Sequence, residues 1–216
     1  MTIRALFAAL ACAVLVSGCA GNVSGPNATA EEAARAAYRH DGPSEITLYT
    51  MINNRSDSGA HTAMMINAPS QRVVFDPAGS VRFQSVPEID DVLYGITPEV
   101  EEVFESAHAR ETYRVRIQKT TVAPEVAERA LQLVQGHGAV PAAQCSKATS
   151  GILRQLPGFQ NIGSQWYPNK LADDFSRLPG VTERVRREMD DDDKSLAVKA
   201  YEERKRNARL ALAAEG

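Results

Sequence analysis

The sequence predicts an α+β fold on three observations: strand patterns cluster between residues 45 and 120, helical periodicity dominates afterwards, and Asn-, Gly- and Pro-rich turns separate the strands closely enough for antiparallel hairpins. A helix comes first, over residues 29–40, with Thr29 as cap, Glu32 three positions on, and Asp41-Gly42-Pro43 as the stop. Residues 46–52, rich in β-branched and aromatic side chains, form a strand. After the turn cluster 53–59, residues 60–66 form a second strand, apolar on both faces apart from His61 and Thr62. Residues 67–71 turn the chain and residues 72–76 return it as a β-hairpin, with a short edge segment at 81–83. Thr97-Pro98-Glu99 opens a helix running to about His108: a hydroxyl caps it, Pro suits the first turn, and Glu suits the positive dipole end. Residues 112–117 alternate as a strand with one wet face. Pro124 begins a helix with Val126, Ala130, Leu133 and Val134 at helical spacing, ended by Gly136-His137-Gly138. Residues 144–156 are helical up to Pro157-Gly158, and Pro168 opens another helix. From Thr182 the tail reads as one or two charged helices, with Asp190 to Asp193 a solvated junction between them.

The amino terminus sets the compartment. Arg4 precedes an apolar run from Leu6 to Leu15, too short to span a bilayer, and Val16-Ser17-Gly18-Cys19 follows. That tetrapeptide resembles the lipobox of bacterial lipoproteins, which implies acylation of Cys19 and cleavage before it. The expected organisation is a signal peptide over 1–18, a flexible tether over 19–30, one domain over 31–181 and a charged helical tail over 182–216. Ala20 replaces the Asp that resembles an inner-membrane retention signal, so the outer membrane facing the periplasm is expected, with membrane lipid as a partner. A net charge of −3 shows no basic surface for nucleic acid.

The chain has 3 cysteines; with Cys12 in the signal and Cys19 acylated, Cys145 stands alone. An unpaired thiol in an oxidising compartment is either a small buried hydrophobe or a nucleophile. Cys145 sits where a helix begins, and the unpaired amides there favour thiolate and can stabilise an oxyanion. Of the 4 histidines only His61 lies within an otherwise apolar strand. With the hairpin turn centred near Ala68-Pro69, His61 faces Asp76 on the returning strand. Asp76 would then hold the tautomer of His61. A zinc site made of His61, Asp76 and Cys145 is the weaker alternative. No metal or cofactor is expected.

A strand His, a polar partner on the next strand and a later Cys opening a helix resemble the circularly permuted NlpC/P60 superfamily, papain-like enzymes in which His precedes Cys. The resemblance rests on residues 61–66, 73–79 and Gln144-Cys145-Ser146, and spans roughly residues 45 to 160. It implies a permuted papain-like fold with a small antiparallel sheet packed on helices. It also implies Cys145 as nucleophile, His61 as base and Asp76 as orienting group. Gln144 and Lys147 depart from the better-known forms, where Asp or Asn precedes Cys and small residues follow. Trp166 and Gln144 are candidates to line a substrate groove, although Trp166 also suits packing of the later helices. The expected activity is amide hydrolysis of a cell-envelope substrate, such as a peptidoglycan peptide or an acyl group. An acyltransferase or a non-catalytic binding or scaffolding lipoprotein is the alternative.

Overall fold

A computed structural model describes residues 27–214. The expected signal segment 1–18 and the lipidation site Cys19 lie outside the described residues. The chain forms α1 (Ala30–Ala36), β1 (Glu45–Asn53), β2 (Gly59–Asn67), β3 (Arg72–Phe75), β4 (Glu88–Ile89), β5 (Val92–Tyr94), α2 (Pro98–His108), β6 (Tyr113–Thr121), α3 (Pro124–Gln135), α4 (Cys145–Leu153), α5 (Pro168–Phe175), β7 (Thr182–Arg186) and α6 (Ser195–Ala214). The fold is α+β: one antiparallel sheet of seven strands in the order β4-β5-β3-β2-β1-β6-β7. No helix among the described residues is long and apolar enough to cross a membrane.

Both faces of the sheet are covered, which is why β1 and β2 read as nearly continuous apolar runs. Alternate residues of β1 divide between two cores. Ile46 and Leu48 pack with Met64, Ile66, Val73 and Phe75 beneath α3, α4 and α5. Tyr49 and Met51 pack with Ala63, Met65 and Val74 beneath α2 and α6. A one-residue slip in any central strand would exchange the two sets, so register is strongly specified.

Local signals account for the helix starts. The Thr29 hydroxyl accepts from Glu32 N while the Glu32 carboxylate accepts from Thr29 N, a complete capping box. Thr97 Oγ1 accepts from Val100 N at 3.3 Å, with Pro98 in the first turn.

Three expectations need correction. Residues 182–186 pair with β6 as an edge strand, not a helix, and extend a sheet larger than the small one expected. The far edge is the β4–β5 hairpin, not residues 81–83. Residues 27–28 are held, not loose: Asn27 Nδ2 donates to Asp90 Oδ1 at 2.8 Å and Ala28 N to Glu88 O at 2.8 Å, so the expected tether does not reach residue 30.

Candidate active site

Sheet irregularity positions His61. Met51 pairs with His61 but Ile52 pairs with Gly59, leaving Ala60 as a bulge immediately before the imidazole. A bulge raises local twist and re-aims the neighbouring side chain. β3 ends at Phe75, opposite Met64, so Asp76 leaves the ladder where the first half of β2 has no strand beside it on that side. The observed register places Asp76 diagonal to His61 and not directly opposite. The loop runs from Ala68 to Gln71, closed by Ala68 N donating to Gln71 O, so its centre lies one residue later than expected. Diagonal neighbours on one face remain within reach of a long side chain. His61 Nε2 lies 2.7 Å from Asp76 Oδ1.

Cys145 begins α4, whose Ala148, Ile152 and Leu153 pack into the core on the other side of the sheet. No side chain caps the helix at Gln144, so its first-turn amides face outward from the helix without a capping acceptor. The approach is set by Ala143, whose φ of 61° turns the chain sharply into the helix. The thiol is 8% exposed, and the His61 imidazole lies close enough to act on its charge. Since Asp76 occupies Nε2, the nitrogen left for sulfur is Nδ1. The Thr62 backbone N–H and the Ser146 hydroxyl also act on the sulfur, both favouring its charged form. Thr62 Oγ1 lies 3.1 Å from Ser146 Oγ, which ties the strand to the helix at this point.

Charge distribution follows from these contacts. Burial pulls the Cys145 pKa up, but the His61 hydrogen bond and charge, with the Thr62 and Ser146 donors, bring it below its ordinary value. Burial opposes a charged His61, yet Asp76 and then Cys145 raise its pKa to about 9. Burial likewise opposes the Asp76 carboxylate, and His61 brings it below the usual range. The arrangement therefore favours a thiolate–imidazolium pair with a carboxylate behind it.

Several residues of the site were not singled out from sequence. His108, at the end of α2, stacks on His61 with ring centroids 6.1 Å apart and an interplanar angle of 19°. Its Nδ1–H donates to Phe104 O at 2.8 Å, Nε2 has no partner, and burial lowers its pKa to about 3. Asp91 is fully buried; its Oδ2 accepts from Ala78 N at 3.2 Å and Val140 N at 2.7 Å, joining the turn after Asp76 to the loop before Cys145. Asp90 and Asp91 both have positive φ, as a two-residue hairpin turn between β4 and β5 requires. That dipeptide between two short apolar runs was the available signal. Gly79 lies against the Asp76 carboxylate, where a Cβ would overlap it.

The groove candidates lie beside this centre. Gln144 is half-buried immediately before the thiol. Trp166 is 53% exposed and meets α4 through Lys147, whose Nζ is 4.3 Å from the ring centroid. Ligand atoms of His61, Asp76 and His108 lie within 4.8 Å of one another, a set able to hold a metal ion, and Cys145 does not belong to it. Comparison of the chain with family models, curated proteins and solved structures finds no match.

Proposed function

We propose that the protein is a cysteine hydrolase of the cell envelope, anchored through Cys19, which cleaves amide bonds such as those of peptidoglycan peptides on a permuted NlpC/P60-like fold. One observation carries this reading: Cys145, His61 and Asp76, from a helix start and two strand ends, come together, with His61 Nε2 2.7 Å from Asp76 Oδ1 and the imidazole and the sulfur each shifting the other's charge. A structural cysteine needs neither an imidazole at its sulfur nor a carboxylate behind that imidazole.

In this reading the Cys145 thiolate attacks the carbonyl carbon, and the oxyanion takes up hydrogen bonds from the first-turn amides of α4. The C–N bond breaks as His61 delivers its Nδ1 proton to the leaving amine. Neutral His61 then takes a proton from water, whose oxygen attacks the thioester, and the carboxylic acid product leaves the regenerated thiolate. Asp76 holds the ring and stabilises the imidazolium throughout. An amine in place of water would give acyl transfer by the same steps.

The test is incubation of the purified protein with a panel of muropeptides, with new amines and carboxylates read by mass spectrometry. Cleavage that Cys145→Ser and His61→Ala each reduce by at least about a thousandfold is expected. Cleavage that survives Cys145→Ser would overturn the proposal, as would an inert panel combined with a thiol no more reactive than a free one.

A further inference from the structure

Against His61 lies a cavity of about 260 Å³ lined by His61, His108, Gly79, Ser80, Tyr113 and Lys194, with Cys145 not among its lining residues. We propose that this cavity is a binding site for a divalent transition metal of the zinc class, held by His61 Nε2, one oxygen of Asp76 and His108 Nε2, and that occupancy withdraws His61 from acid–base catalysis at Cys145.

His108 carries the argument. Its Nδ1–H is committed to the Phe104 carbonyl, which fixes the tautomer with a bare lone pair on Nε2. That nitrogen sits on a side chain only 1% exposed and has no hydrogen-bond partner. A buried acceptor without a donor is costly and rare. Asp76 Oδ2 is likewise unpartnered. The three ligand atoms lie within 4.8 Å of one another. Binding requires these side chains to close to the roughly 2 Å bond lengths of a tetrahedral site, whose fourth position three protein ligands leave open. The Nδ1–H···O=C contact of His108 is the outer-shell support a ligating imidazole ordinarily has. Lys194, whose Nζ donates to Ser80 Oγ at 3.0 Å, opposes the cation across the cavity, so affinity is tunable through it.

The effect on the thiol rests on the hydrolase reading; the binding does not. The metal replaces the Nε2 proton of His61, which passes to solvent. His61 then keeps a proton on Nδ1 that it can pass to a leaving amine only by becoming a metal-bound imidazolate, so it no longer cycles between acid and base. Asp76 exchanges its hydrogen bond to His61 for a metal bond.

The test uses the full chain with Cys12→Ser and Cys19→Ser, which leaves Cys145 as the only thiol of the 3. After chelation it is titrated with Co²⁺ and Zn²⁺. One ion per chain is expected, with tetrahedral Co²⁺ visible bands and no thiolate charge-transfer band in the near ultraviolet. Cys145→Ser should retain binding, and His108→Phe and His108→Gln should each weaken it at least about tenfold. Lys194→Met should tighten it severalfold. Binding lost with Cys145→Ser and kept in both His108 variants would overturn the proposal, as would no binding by a folded chain. Binding by a chain whose thiol, measured free of metal, is no more reactive than a free one would keep the metal site while rejecting the hydrolase.

Discussion

At the residue scale, two stacked histidines respond to pH in opposite senses. His61 binds its proton more tightly in the folded chain, so its contribution to stability is complete below pH 6.5 and is lost as pH rises toward about 9. His108 resists protonation down to about 3, so stability is lost as pH falls below 6.5, where the unfolded chain takes up that proton first. Replacing His108 by Phe should therefore spare roughly 1–3 kcal/mol of the acid-side loss between about pH 6.5 and 4. Denaturant melts of the two proteins across that window measure it, and parallel curves would contradict the assignment. Gly79 gives a second residue-level expectation. A methyl there overlaps the Asp76 carboxylate, so Gly79→Ala should displace the carboxylate from His61 and slow alkylation of Cys145 about tenfold or more while the fold persists. Unchanged alkylation would show that Asp76 does not govern the imidazole.

At the element scale, the site depends on where segments end. β3 stops at Phe75, Asp76 leaves its ladder, and α4 begins at Cys145 after a loop tied back by Asp91. Asp91→Ala leaves the Ala78 and Val140 amides without their acceptor and should cost about 2–4 kcal/mol in chemical denaturation, with slower thiol alkylation. A loss below about 0.5 kcal/mol would mean that the loop holds its place without it. The elements around the site were legible because their signals are local: β-branched strands at 46–52 and 60–66, and the Thr97-Pro98 helix start. The His61–Asp76 pairing was legible through the hairpin, although its turn centre was one residue out. β7 was not, because Thr182-Glu183-Arg184-Val185-Arg186 carries one apolar residue and three charges. Its support is non-local: Arg184 Nη2 donates to both oxygens of buried Glu105, at 2.6 and 2.7 Å. His108 was equally hidden, since the His61 ring it stacks on comes from a strand distant in sequence.

At the scale of the whole molecule, the tail is part of the body. β7 extends the sheet, Val198 and Tyr201 are buried in the core beneath α2 and α6, and Asp192 accepts from Thr112 N and Oγ1 at 2.9 and 2.5 Å. Truncation after Val181 should strip an edge strand and one cover of the sheet, giving an aggregating chain without a cooperative melt. Truncation after Lys205, which removes exposed Leu210 and Leu212, should lower the melting temperature by only about 2–4 °C. A cooperative melt from the chain ending at Val181 would show the tail to be an appendage. The sheet, both helical layers and the tail together hold one sulfur against one imidazole. The most direct measurement is therefore the iodoacetamide alkylation rate of Cys145 from pH 4 to 10, alone and with His61→Ala or Asp76→Asn. The thiolate should form with an apparent pKa well below the free value of about 8.5. Either substitution should move it upward, His61→Ala the more. A midpoint at or above the free value, unmoved by His61→Ala, would contradict activation of the thiol by the histidine.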